Sequence, residues 1–274
     1  MTNKIRKPCV AGKFYPSSAP NLLKSITKFL DIKGVEKTEA LAIISPHAGY
    51  IFSGAIAGTA FASVELPDNI ILIGPNHTGA GKGASVMSSG AWETPLGETQ
   101  INTELAEKII ASSEIFSKDL EDNSAHASEH SLEVQLPFIQ YINENATIVP
   151  ITLMYDRSAP YKELGKALAQ VIKSYKEKIL IIVSSDMNHY ESEEETIKKD
   201  NLAIEKILAL DPEGLLSITQ EKNISMCGVL PSAVAIECVN TLGATKATLL
   251  SHTTSAGVTG DKEETVGYAA ILIK

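Results

Sequence analysis

Short apolar runs alternate with longer stretches of helical periodicity along most of the chain. The apolar runs are rich in β-branched and aliphatic residues, which predicts strands, and several are apolar throughout, as in a sheet covered on both faces. The 3.6-residue period between them predicts helices. The predicted strands cover residues 41–45, 70–74, 85–88, 147–153, 179–184, 247–252 and 267–273. The predicted helices cover residues 20–30, 54–63, 103–112, 132–143, 161–175, 193–208 and 228–242.

The regular alternation of strand and helix predicts an α/β fold. Strands separated by helices form a largely parallel sheet, joined by right-handed crossovers and flanked by helices. The chain of 274 residues is long enough for one or two domains. Because no linker rich in Pro, Gly or Ser divides it and no repeat is visible, we predict a single α/β domain over residues 1–274.

Three of the predicted strands lead directly into a histidine. Strand 41–45 is followed by His47, strand 70–74 by His77, and strand 179–184 by Asp186 and His189. The carboxyl ends of parallel strands meet at one edge of a sheet, where ligands of such folds bind. The sequence therefore predicts that the three imidazoles converge there.

A single histidine after a strand is most often a structural or capping residue, but three at equivalent positions favour a site. Neutral imidazole is the commonest metal ligand in proteins. Asp186, three positions before His189, could bind a metal directly or orient an imidazole through its ring N–H. An aspartate in a surface turn is the alternative for this residue.

Two further residues precede predicted helices. His130 comes just before the stretch 132–143, so either it or Ser131 could cap that helix, and a role in the site is compatible with capping. Cys227 comes just before helix 228–242, and a helix N-terminus favours the thiolate that binds metals. The alternative for Cys227 is an inert buried thiol, which is the interpretation we prefer for Cys238.

The remaining histidines and cysteine show no comparable pattern. We expect His126, in a polar loop, to be exposed to solvent. We expect His252, which ends a predicted strand without neighbouring Gly or Pro, to be structural. Cys9 follows a proline near the start of the chain and has no informative spacing to another ligand.

The composition excludes several classes of partner. The formal net charge is −9, aromatic residues make up 5%, and Arg6 and Arg157 are the only arginines. Nucleic acids and anionic membranes favour basic faces, so we predict neither as a partner. Residues 40–64 carry no charge and could span a bilayer by length, but Pro46, His47 and Gly49 interrupt them. Three cysteines form no disulfide framework, and we predict a cytoplasmic protein.

Five motifs together resemble the Memo family, whose prokaryotic members are called AmmeMemoRadiSam system protein B. The motifs are Pro-His-Ala-Gly-Tyr at 46–50, Gly-Pro-Asn-His at 74–77, Glu-His-Ser-Leu-Glu-Val-Gln-Leu-Pro at 129–137, Ser-Asp-Met-Asn-His-Tyr at 185–190, and Cys-Gly at 227–228. The opening residues 10–16 and the closing residues 266–269 fit as well. The resemblance spans nearly the whole chain.

The resemblance implies a fold like that of class III extradiol dioxygenases, whose non-haem iron is held by two histidines and a carboxylate. In the Memo family a cysteine replaces the carboxylate. The metal ligands here would then be His47, His77 and Cys227, with Asp186 and His189 close by and His130 as a further pocket histidine. The family is described as binding iron or copper and supporting redox chemistry, and an animal member binds phosphotyrosine peptides.

The resulting hypothesis is a metal-dependent redox or dioxygenase-like enzyme acting on an unidentified small molecule. Its metal would be Fe²⁺ or copper, with zinc less favoured; His189 would carry protons, and Asp186 and His130 would tune the pocket. A thiolate ligand is softer than a carboxylate and is itself oxidisable, which sets this site apart from the dioxygenases. The alternatives are a non-catalytic module that binds a metal, protein or peptide in the same cleft, and a zinc-assisted hydrolase with Asp186 as base.

Overall fold

The structure is a computed structural model that describes residues 4–119, 124–156 and 160–274. Arg157, one of the two arginines, lies outside the described residues. The strands are β1 (Ile5–Arg6), β2 (Ala42–Ser45), β3 (Asn69–Pro75), β4 (Ala84–Val86), β5 (Ala91–Thr94), β6 (Gly97–Gln100), β7 (Ser117–Lys118), β8 (Thr147–Leu153), β9 (Ile179–Ser184), β10 (His189–Glu191), β11 (Ala247–Thr254) and β12 (Thr265–Ile273). The helices are α1 (Ala19–Leu30), α2 (Tyr50–Ala62), α3 (Thr103–Ser112), α4 (Leu136–Ile142), α5 (Tyr161–Ser174), α6 (Glu193–Leu208), α7 (Pro212–Glu221), α8 (Val229–Leu242) and α9 (Ala256–Thr259).

A central sheet runs in the order β10-β12-β2-β9-β3-β8-β4-β7, with β11 also paired to β12. Its four middle strands, β2, β9, β3 and β8, are parallel to one another. On either side of them the pairing is antiparallel, since β12 joins β2 and β4 joins β8 in that sense. The α/β fold with a helix-flanked sheet is confirmed, and its parallel part is the middle of a mixed sheet.

Both faces of the central sheet are buried, because alternate residues of each middle strand enter different cores. In β3, Ile71 and Ile73 face a core that includes α3, α5 and α8. Ile70 and Leu72 face a second core that includes α1, α2 and α4. The apolar strands predicted from the sequence are continuous for this reason.

A small second sheet holds the start of the described chain. Strand β1 pairs in parallel with β5, which forms an antiparallel hairpin with β6. Arg6 of β1 lies over the ring of Trp92 in β5, with its guanidinium carbon 4.1 Å from the ring centroid. The N-terminal arm, which we define as residues 4–16, is thereby fixed against the body of the protein.

Two helix starts differ from the prediction. Helix α2 begins at Tyr50, four residues earlier than predicted, because the Tyr50 N–H donates to Phe14 O in the N-terminal arm and Gly49 starts the first turn. The segment after His130 forms a 3₁₀ turn over Glu133–Gln135, and α4 starts only at Leu136. Capping by a His130 or Ser131 side chain is therefore wrong, since neither helical segment has a side-chain cap.

In the described ranges, no helix combines the length and the apolar character needed to cross a bilayer. The uncharged stretch 40–64 is divided between β2, the His47 loop and α2. The elements that the prediction omits are mostly short strands, such as β1, β7 and β10, which are too short to show a period.

Candidate metal centre

Three histidine rings meet at the carboxyl edge of the parallel strands. His47 follows β2, His77 follows β3, and His130 precedes the 3₁₀ turn before α4. Their ligand atoms all lie within 4.8 Å of one another, and the ring centroids are 4.8 to 5.5 Å apart. The sequence predicts that His47, His77 and His189 converge from the strand ends; in the structure His47 and His77 do so, but the third ring of the cluster is His130 and His189 only lines the same cavity.

The three rings line a cavity of about 670 Å³. The predicted site residues that line it are His47, His77, His130, Asp186, His189 and Cys227. Its apolar walls are formed largely by aromatic side chains, including Phe14 and Tyr268. The structure therefore places every candidate site residue in one cavity.

His47 is buried, and its ring orientation is fixed by Ser184 at the end of β9. The Ser184 hydroxyl oxygen lies 2.8 Å from His47 Nδ1. That hydroxyl donates its only hydrogen to Ser131 O at 2.7 Å and accepts from Gln135 Nε2 at 2.9 Å. It can therefore only accept from His47, so Nδ1 carries the imidazole hydrogen and Nε2 presents its lone pair to the cavity.

His77 is oriented by Glu129, whose side chain is fully buried. The Glu129 carboxylate accepts from His77 Nδ1 at 2.9 Å, from the His77 backbone N–H at 2.5 Å and from the Ser131 N–H at 2.9 Å. Burial alone would raise the pKa of Glu129, but these hydrogen bonds outweigh it and hold the pKa at about 2. The carboxylate is thus ionised at neutral pH, and His77 Nε2 is left free for the cavity.

Burial favours the neutral imidazole at His47 and His130. Burial lowers the pKa of His47 well below its ordinary value, and the neighbouring His130 and His77 rings add to that effect. Burial also lowers the pKa of His130, although the Glu129 carboxylate opposes this, with its Oε1 atom 3.6 Å from His130 Nδ1. Neutral imidazole is the form that binds metals.

The donor set therefore fits a transition metal ion. Imidazole nitrogen suits iron, copper, nickel and zinc. Histidine ligands in metal sites commonly donate their other ring N–H to a carboxylate, carbonyl or hydroxyl group. His77 and His47 have such partners in Glu129 and Ser184.

Asp186 holds the His47 loop through its backbone. The Oδ1 atom of this buried carboxylate accepts from the N–H groups of His47 at 2.7 Å and Ala48 at 3.2 Å. Burial raises the pKa of Asp186, and the backbone hydrogen bonds oppose this. The sequence suggests that Asp186 could orient an imidazole through its ring N–H. In the structure it instead orients the main chain of His47.

Cys227 adjoins the cluster from the start of α8. Its Sγ atom lies 3.2 Å from His47 Nε2 and accepts from the Asp186 N–H at 3.3 Å. Burial, followed by the Asp186 carboxylate, raises the pKa of the thiol well above its ordinary value. Burial thus favours the neutral thiol over the thiolate expected at a helix N-terminus, and a bound cation would reverse this balance.

His189 faces the same cavity from β10. Its backbone N–H donates to Ser225 Oγ at 2.8 Å, and its Nδ1 lies 2.9 Å from Ser225 O. Since a carbonyl only accepts, Nδ1 carries the hydrogen and Nε2 is free to accept a proton. The next residue, Tyr190, is 77% exposed and has a φ of 60°, an unusual backbone conformation for a bulky residue, at the rim of the cavity.

Two other histidines lie outside the cavity. His126 is fully buried, with Nδ1 3.0 Å from Asp119 Oδ2 and its ring 5.9 Å from that of Trp92, so the expectation that it is exposed is wrong. The polar residues around it in the chain give no sign that its side chain is buried beside a carboxylate. His252 lies in β11 with Nε2 2.7 Å from the buried Asp200 carboxylate.

The cysteines other than Cys227 have different surroundings. Cys238 is fully buried within α8. Cys9 contacts Glu133, with its Sγ atom 3.1 Å from Oε2, and burial raises its pKa to about 11. Neither thiol lines the histidine cavity.

Sequence reasoning missed the groups that support the cluster. Arg6 donates to the Glu133 carboxylate at 2.7 Å and to the carbonyl of Glu129 at 2.8 Å, which ties the N-terminal arm to the loop of His130. Ser184 was visible as the last residue of a predicted strand. Glu129 and Glu133 stand within the 129–137 motif, but nothing in the sequence shows which ring or arm they contact.

Comparisons with known proteins place the sequence among relatives of nearly the same length. The Memo-like protein family matches residues 6–272. A MEMO1 family protein of Pyrobaculum aerophilum is 44% identical over 281 residues, covering 98% of this chain and 99% of its own. A MEMO1 family protein of Aquifex aeolicus is 41% identical over 270 residues, with the same coverage. Among solved structures, an uncharacterized protein of Escherichia coli K12 matches with a TM-score of 0.49 and 14% identity, over 84% of this chain and 98% of that one.

Proposed function

The chain belongs to the Memo-like protein family, and from that premise we propose that its histidine cavity binds iron or copper and supports redox chemistry on a small molecule. The observation that carries the proposal is the set of three imidazoles whose ligand atoms lie within 4.8 Å of one another. Two of those imidazoles, His47 and His77, have Nδ1 occupied by a hydrogen-bond partner, which leaves Nε2 as the ligand atom; Nε2 of His47 lies 3.2 Å from Cys227 Sγ.

His47 and His77 are the first two ligands in this proposal, each through Nε2. Cys227 is the third ligand in this proposal on the resemblance of the sequence motifs to the Memo family, and its sulfur lies 3.2 Å from His47 Nε2, a spacing compatible with two atoms bound to one ion. His130 lies within reach as an additional donor. Imidazole and thiolate together suit iron, copper and zinc, and the resemblance of the sequence motifs to the Memo family favours the first two.

Bound iron or copper would supply one-electron redox chemistry and open coordination positions for small ligands. The chain's own residues have distinct tasks beside it. His189 accepts a proton at Nε2 from a group held in the cavity, because its Nδ1 is already committed to Ser225 O. Asp186 fixes the main chain at His47, and Phe14 and Tyr268 cover the cavity walls and limit access of water.

Metal content measured by elemental analysis after anaerobic purification tests the site. We expect the wild-type protein to retain iron or copper, and the His47→Ala/His77→Ala variant to lose it. Cys227→Ser should weaken binding, whereas the matched changes outside the cavity, Cys238→Ala and His252→Asn, should not. Equal metal in the wild type and the double histidine variant would refute the assignment.

Oxygen uptake with a panel of diols, amines and reductants then tests the chemistry. His189→Ala should retain the metal and lose most of the turnover, because only the proton acceptor is removed. Metal binding without turnover on any compound would point instead to a binding module. Oxygen-independent hydrolysis of model esters by a zinc-loaded protein would favour the hydrolase alternative.

A further inference from the structure

Although the net charge of the chain is negative, one segment of its sequence is basic. Between Lys4 and Lys37 there are eight basic side chains and two acidic ones, a formal charge of +6, whereas the whole chain carries −9. This segment comprises the N-terminal arm, α1 and the residues that follow α1 as far as Lys37. Helix α1 itself has Lys24 and Lys28 and no acidic residue. Arg6 and Lys7 are paired with Glu133 and Glu93, so the basic side chains that can attract a ligand here are others of the segment, such as Lys13 and Lys28.

A groove of about 490 Å³ lies within this basic segment, between the N-terminal arm, α1 and the start of α2. Lys13 and Lys28 line it, and none of the described residues that line it is acidic. Its apolar lining comes from Phe14, Phe29 and Ile51, and Ile51 is 72% exposed. Two cations beside an apolar wall match a ligand that has an anionic group and an apolar body.

The groove adjoins the histidine cavity. Phe14 lines both, and its ring centroid lies 4.7 Å from that of His130. At the start of α2, Tyr50 and Ile51 line the groove while Gly49 and Phe52 line the cavity. A ligand that extends past Phe14 would contact both.

We propose that this groove binds the carboxylate or phosphate end of an amphipathic small molecule whose other end enters the histidine cavity. The second half of this statement rests on the proposed function, because it makes that molecule the ligand of the metal centre; the binding of an anion in the groove does not depend on a metal. The volume lies in the range of small-molecule sites, about 300–1,000 Å³, and the site is concave, which favours a small ligand over a membrane surface.

Titrations of the purified full chain at low salt, monitored by NMR, test whether the groove binds an anion. The probes are hexanoate and hexyl phosphate, which distinguish a carboxylate from a phosphate, and hexanol as their uncharged counterpart. We expect at least one anion to bind more tightly than hexanol. Lys13→Ala/Lys28→Ala should weaken it about tenfold, the size expected from two partly exposed ion pairs. Lys24→Ala is the matched control on the same helix, outside the groove, and should change affinity less than twofold.

Several outcomes would overturn the proposal. They are equal affinity for hexanol and both anions, an unchanged affinity in the Lys13/Lys28 variant, an equal loss in Lys24→Ala, and binding of anionic phospholipid vesicles without binding of free hexyl phosphate. Bound probe must also shift the His130 ring resonances, and the absence of that shift would refute the link to the cavity. If the His47→Ala/His77→Ala variant still binds the anion, the groove binds anions independently of the metal, and this half of the proposal holds even if the metal assignment fails.

Discussion

Replacing Glu129 with glutamine tests whether the buried carboxylate behind His77 supports the metal site. The substitution keeps the size of the side chain and removes its charge. The carboxylate accepts from three N–H groups, two of His77 and one of Ser131, and donates to none. A glutamine offers one oxygen and one NH₂ group, so its NH₂ must face at least one of these donors.

The size of the effect follows from that mismatch. Leaving one buried donor without an acceptor costs about 1–3 kcal/mol, which sets the expected loss in the free energy of unfolding without metal. Metal affinity should fall by about 10–100-fold, the usual consequence of removing the partner of a ligating histidine. A tenfold loss equals about 1.4 kcal/mol of binding free energy.

Competition with a chromophoric chelator measures the affinity, and urea unfolding of the metal-free protein measures the stability. Glu98→Gln, in the exposed strand β6, makes the same charge change away from the site and should leave both quantities within error of the wild type. An affinity for metal within twofold of the wild type in Glu129→Gln would refute the role of this carboxylate. A loss of stability without a loss of affinity would reduce Glu129 to a structural group.

Two further substitutions test the surroundings of the site. Glu133→Gln should cost about 3–5 kcal/mol at pH 7, because it leaves the buried Arg6 guanidinium without its counter-charge. Burial raises the pKa of Glu133, but Arg6 and several hydrogen bonds outweigh it and hold the pKa below its ordinary value. The stability that the ionised Glu133 contributes is therefore present above the unfolded pKa of about 4.3 and is lost as the pH falls through the folded pKa. Urea unfolding at pH 7 and pH 3 should show the difference from the wild type narrowing in acid, and an equal difference at both would contradict the assignment. Gly228→Ala should lower the free energy of unfolding, measured in urea, by about 1–3 kcal/mol, because the new Cβ would lie 2.4 Å from Ser185 Cβ. Gly83→Ala is the control: a Cβ there has no neighbouring atom within 4 Å, so the substitution should have little effect.

The central sheet and the converging histidines were predictable because they depend on local pattern. Each middle strand is an unbroken apolar run, and the position of a residue after such a run determines the edge at which it lies. His47 and His77 are therefore located by sequence alone. His130 is harder, since it follows no predicted strand, and its ring reaches the cluster because Arg6 and Glu133 hold its loop.

The burial of individual polar side chains could not be predicted, because no local pattern reports it. The start of α8 predicted a thiolate at Cys227, whereas enclosure of the sulfur raises its pKa. His126 has polar neighbours in sequence, yet it is fully buried against Asp119. In both cases the burial of the side chain is set by packing that its neighbours in sequence do not reveal.

The N-terminal arm connects these observations, because it contacts both halves of the proposed ligand path. Arg6 and Tyr15 both bond to Glu133, at 2.7 and 2.6 Å, and so fix the arm on the segment that carries His130. Phe14, one residue before Tyr15, packs on the His130 ring and separates the cavity from the groove. Lys13 places a positive charge in the groove on the other side of that ring. The same residues of the N-terminal arm thus orient the His130 ring, form the wall between the cavity and the groove, and supply a cation. A change at Glu133, which fixes the arm, should therefore alter metal binding and anion binding together. A change at Glu129 should alter metal binding alone.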